Sequence, residues 1–75
     1  MPLALRRKGE LDRALADFDQ AVRLDPGHAA AYNSRGLIFA DKNDHGRAIG
    51  DYDKAIELDP KLASAYNNRG NSARA

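Results

Sequence analysis

The sequence predicts an all-α fold of antiparallel helix–turn–helix repeats, and three observations carry that reading. The chain repeats itself at an offset of 34 residues, its apolar residues recur in three- and four-residue steps, and no segment alternates with period two. Sliding residues 1–41 onto 35–75 gives 16 identities in 41 pairs. The best stretch sets VRLDPGHAAAYNSRG at 22–36 over IELDPKLASAYNNRG at 56–70. Repeats of this length are units that bury their apolar faces only by stacking on neighbours.

Each element follows in order. Residues 2–8 read as a short stub, which Gly9 separates from a helix near 10–24. That helix carries Leu11, Ala14, Leu15, Phe18, Ala21 and Val22 at helical spacing. Leu24-Asp25-Pro26 ends it, because proline cannot continue a helix and biases the preceding residue away from helical geometry. A second helix is expected near 28–42, stopped by Asn43-Asp44-His45-Gly46. A third, near 45–58, repeats the first through Ala48, Ile49, Tyr52, Ala55 and Ile56, and ends at Leu58-Asp59-Pro60. The last spans about 62–75.

Together, Tyr32-x-x-Arg35-Gly36-x-x-Phe39, Ala48-x-x-x-Tyr52-x-x-Ala55 and Pro60 resemble the tetratricopeptide repeat, a helix–turn–helix unit of 34 residues. The earlier copy keeps Ala14, Phe18, Ala21 and Pro26, and the later one Tyr66, Arg69 and Gly70. The resemblance implies one domain over 1–75, stacked as a short right-handed α-solenoid. Residues 1–28 would be a partial repeat, 29–62 a complete one, and 63–75 the first helix of another. Small residues (Gly36, Gly70, Ala14, Ala21, Ala48, Ala55) would let helices approach, while Tyr32, Phe39, Phe18, Tyr52 and Tyr66 fill the gaps. Three departures stand out. Arg35 and Arg69 replace the usual leucine, Ala73 replaces an aromatic, and Pro2 holds the glycine's place. Asp17 and Asp51 recur in step with the arginines, which makes an ion pair between helices an expectation.

Twelve basic and eleven acidic residues give a net charge of +1, with both signs interspersed. That mixture offers no basic stripe for nucleic acid, and no apolar run suggests a membrane span. Without cysteine there is no disulfide and no thiolate site, which fits a cytoplasmic location. His28 and His45 have no second ligand at metal-binding spacing, so they read as solvated or capping residues. Asp17/Asp19 and Asp51/Asp53 lie two apart, and such residues do not face each other on a helix. The calcium-loop imitation at 41–46 fails where His45 and Tyr52 stand. No phosphate loop or nucleophile–base pair is present, so the expectation is a non-catalytic protein without a cofactor.

The resemblance implies a scaffold that binds a peptide or partner protein along a concave face. The candidate contacts are Asn33, Ser34, Leu37 and Asp41 on one helix and Asn67, Asn68, Asn71 and Arg74 on another. Asparagine both donates and accepts, which suits the backbone of an extended peptide. The carboxylate clamp of chaperone-binding relatives does not carry over. Asn33, Asn67 and Ser64 stand where that clamp has cations. The alternative is a homo-oligomer formed through the terminal helices, either head to tail or by symmetric exchange, in which the 2–8 stub would give way.

Overall fold

Two Leu-Asp-Pro corners set the architecture. At each, the aspartate side chain accepts a hydrogen bond from the backbone two residues on, Asp25 from Gly27 at 3.2 Å and Asp59 from Lys61 at 3.1 Å. These local turns release the chain from one helix and start the next antiparallel to it. The computed structural model describes residues 8–75. It contains α1 (Lys8–Leu24), α2 (Ala29–Asp41), α3 (His45–Leu58) and α4 (Ala63–Arg74), and no strand among the described residues. The expected stub, with Pro2, lies outside them apart from Lys8. Gly9 does not break the chain, since α1 begins at Lys8 and runs through it.

The α2–α3 corner is built differently. Asn43 adopts a left-handed backbone with φ of 65°, a conformation asparagine tolerates better than most side chains. Asn43 N–H then reaches the Ala40 carbonyl at 2.9 Å and Asp44 N–H the Phe39 carbonyl at 2.8 Å, closing the end of α2. Asp44 caps the next helix, accepting from Arg47 N–H at 3.3 Å.

Each helix packs on the one before it, and α2 also touches α4, whereas α1 and α3 do not meet. The stack therefore bends toward the α2/α4 layer, which becomes its inner side. The core comprises Leu11, Val22, Ala31, Ile38, Ala48, Tyr52, Ala55 and Ala65. Its centre is Tyr52, 1% exposed and lying against Gly36. A Cβ on Gly36 would sit 2.6 Å from the ring and 3.2 Å from the Ala48 carbonyl, so only glycine fits this crossing. Among the expected packing residues, Gly36, Ala48, Tyr52 and Ala55 are buried, and Ala14, Phe18, Ala21, Tyr32, Phe39 and Gly70 are half-buried. Tyr66 departs from its expected role: it is 43% exposed, because the helices that contact α4, α2 and α3, leave its ring uncovered.

Candidate protein-binding surface

The inner layer is held in register by polar contacts at the helix crossings. Arg35 reaches from α2 to both neighbouring helices. Its Nε and Nη2 donate to the two Asp51 oxygens at 2.8 and 2.7 Å, and Nη1 donates to Asp19 at 3.0 Å. Tyr32 and Phe39 flank its guanidinium, with ring centroids 5.6 and 5.9 Å away. Hydrogen bonding to Asp51 is the largest influence holding the Arg35 guanidinium above the ordinary arginine range, and it outweighs desolvation. A planar fork suits this task because it meets a carboxylate with two parallel bonds and still has a donor left.

The expected ion pair thus forms between Arg35 and Asp51, but the other expected aspartate is the wrong one. Arg35's partner on α1 is Asp19, not Asp17, and Arg69 pairs with Asp53 at 2.7 Å. Both contacts span 16 residues, and that shared spacing was a signal in the sequence. Arg69 lies over Tyr66 at 5.5 Å. A second contact sits under α4, where His45 Nδ1 lies 3.2 Å from the buried Ser72 Oγ. Burial is the main cause raising Tyr52 above its usual value of 10.0.

On the inner face, Asn33 is only 9% exposed and is not presented for a ligand as expected. Its Nδ2 donates to Ser64 Oγ and its Oδ1 accepts from Asn68 Nδ2, both at 3.1 Å. Asn33 therefore ties α2 to α4 and forms the floor of the face, with Ser64 as a structural partner and not a ligand contact. Around it, Leu37 is 40% exposed, and Asp41, Asn67, Asn71 and Arg74 are exposed. Arg74 donates to Asn71 at 2.7 Å, while Ser34 is half-buried. The exposed candidates thus comprise one apolar side chain, two amides and one charge of each sign, shared between α2 and α4. Among the described residues no cluster of three or more metal-binding side chains forms, and no helix is long and apolar enough to cross a membrane.

Paired helices in register, joined by contacts that recur at the repeat interval, define a helical-repeat protein. A family model described as tetratricopeptide repeat matches residues 3–63, and the chain belongs to that family. Its repeats generally mediate protein–protein interaction and are generally non-catalytic. None of the curated proteins matches the sequence.

Proposed function

We propose that the chain is a non-catalytic interaction module that holds an extended segment of a partner protein along the α2/α4 face. The observation that carries this reading is Leu37, 40% exposed on α2 one turn beyond Asn33, which ties that helix to α4, where Asn67 and Asn71 are also exposed. An exposed leucine offers burial to a partner's apolar side chain, and the amides offer donors and acceptors to its backbone. Asn33 contributes indirectly by fixing the spacing of the two helices. With Asp41 and Arg74 the only charges in the set, the fitting ligand is an uncharged or weakly charged stretch carrying one apolar anchor.

Panning a displayed peptide library on the full chain tests this. Selected peptides are expected to lose at least about tenfold in affinity with Leu37→Asp or Asn67→Ala, while helicity by circular dichroism stays unchanged. A set of ligands indifferent to both substitutions would remove the groove from the account.

A further inference from the structure

The joint between α2 and α3 has a second pair of halves elsewhere in the molecule. Two contacts define that joint on the α2 side, Arg35 forked on Asp51 and Gly36 under the Tyr52 ring, and a third, Asn33 bracketed by Ser64 and Asn68, ties α2 to the following α4. Adding 34 to the first members gives Arg69, Gly70 and Asn67 on α4. Subtracting 34 from their partners gives Asp17 and Phe18 on α1, with Ala30 and Ser34 on α2. These two sets do not meet within one chain.

Both sets are accessible. Arg69 uses Nη1 on Asp53, leaving the edge that Arg35 turns to Asp51 without an acidic partner among the described residues. A Cβ on Gly70 would meet only the Arg74 guanidinium at 3.8 Å, so the notch that Tyr52 fills at Gly36 is open. Asp17 is exposed and pairs with no cation among the described residues, and Phe18 beside it is half-buried. Among the described helices, α1 touches α2 alone, and a cleft lined by Glu10, Leu11, Ala14 and Ile38 lies along their seam.

We propose that a second copy of this chain fills the gap, with α4 of one molecule docking on α1 of the next as α2 docks on α3. Arg69 meets the next copy's Asp17, Gly70 receives its Phe18, and Asn67 reaches its Ser34. Opposite charges at the same register as an ion pair already formed inside the fold favour this occupant over an unrelated helix. The contact is heterologous, so it propagates into a string or closes into a ring rather than stopping at a symmetric dimer. In the repeat register, residues 69–75 of the incoming copy are equivalent to residues 1–7. Asn67 is shared with the peptide reading, and the test therefore uses Asp17, Arg69 and Gly70, which the groove does not.

Charge reversal on the full chain tests it. Sedimentation equilibrium from micromolar to millimolar should show mass rising with concentration for the wild type. Asp17→Arg and Arg69→Asp should each weaken association at least about tenfold with circular dichroism unchanged, since each sets like charges across the joint. An equimolar mixture of the two variants restores an opposite pair at every junction and should regain the wild-type mass. Gly70→Ala, which meets nothing in the monomer at under 3.8 Å, should also weaken association. A constant monomer mass, association indifferent to both reversals, or a mixture that stays monomeric would each overturn the proposal.

Discussion

Arg35-Gly36 and Arg69-Gly70 are the same dipeptide at the same place in two helices, yet the protein uses them differently. Around Gly36 there is no room: Tyr52 is pressed against the α2 backbone, and Arg35 bridges α1 and α3 at once. Around Gly70 there is space, and among the described residues Arg69 makes one ion pair, in which both side chains are well exposed. A repeat motif therefore specifies a capacity for packing, and the helix opposite decides whether it is used. Stability in this chain is concentrated at the α2/α3 crossing, while α4 carries the same residues in reserve.

The largest effect should come from the aromatic at the filled joint. Tyr52→Ala removes a ring that is 1% exposed and is expected to cost about 3–5 kcal/mol, enough to unfold most of a chain with so small a core. Tyr66→Ala, at a 43% exposed site, should cost no more than about 1 kcal/mol. Thermal melts followed at 222 nm compare the two directly, and equal losses would erase the distinction between the joints.

The arginines come next. Arg35→Met strands Asp51, which is 6% exposed, and should cost about 2 kcal/mol, a value reduced because the seam is partly solvated. Arg69→Met should cost less than about 0.5 kcal/mol, as expected for an exposed pair. Urea titration of both variants would sharpen the comparison, and a larger loss at Arg69 would reverse it.

A smaller effect separates the tyrosine's ring from its hydroxyl. Tyr52→Phe keeps the packing against Gly36 and removes the buried hydroxyl, at about 1 kcal/mol near neutral pH. Burial raises the Tyr52 hydroxyl above 10.0, so the folded chain keeps a proton that the unfolded chain releases. Its contribution is therefore complete below that value and is lost as pH rises through the folded one. Wild-type stability should fall more steeply above pH 10 than that of Tyr52→Phe, and parallel pH curves would show that the hydroxyl is not coupled to folding.

The corners were legible because their chemistry is local. Leu-Asp-Pro acts through its own backbone, and the α3 bounds, His45–Leu58, match the expected 45–58. Arg35 with Asp51 was legible as well, since both recur with the repeat. The choice between Asp17 and Asp19 was not, because two aspartates two residues apart point in different directions and helix rotation decides which one Arg35 reaches. Asn33 was misread for a related reason. A polar side chain suggests an exposed surface, but its burial depends on Ser64 and Asn68, more than 30 residues away. Gly9 looked like a break, yet α1 runs through it, because a single glycine costs a helix only about 1 kcal/mol.

The most direct test substitutes alanine at the two equivalent glycines and measures urea unfolding at protein concentrations low enough to keep the chain monomeric. At Gly36 the added methyl collides with the Tyr52 ring, and a net loss of about 1–2 kcal/mol is expected after the gain in helix propensity. At Gly70 only the helix propensity gain remains, and stability should rise by about 0.5 kcal/mol. Opposite signs at the two positions support a filled joint and an open one made from the same residues; shifts of the same sign would contradict it.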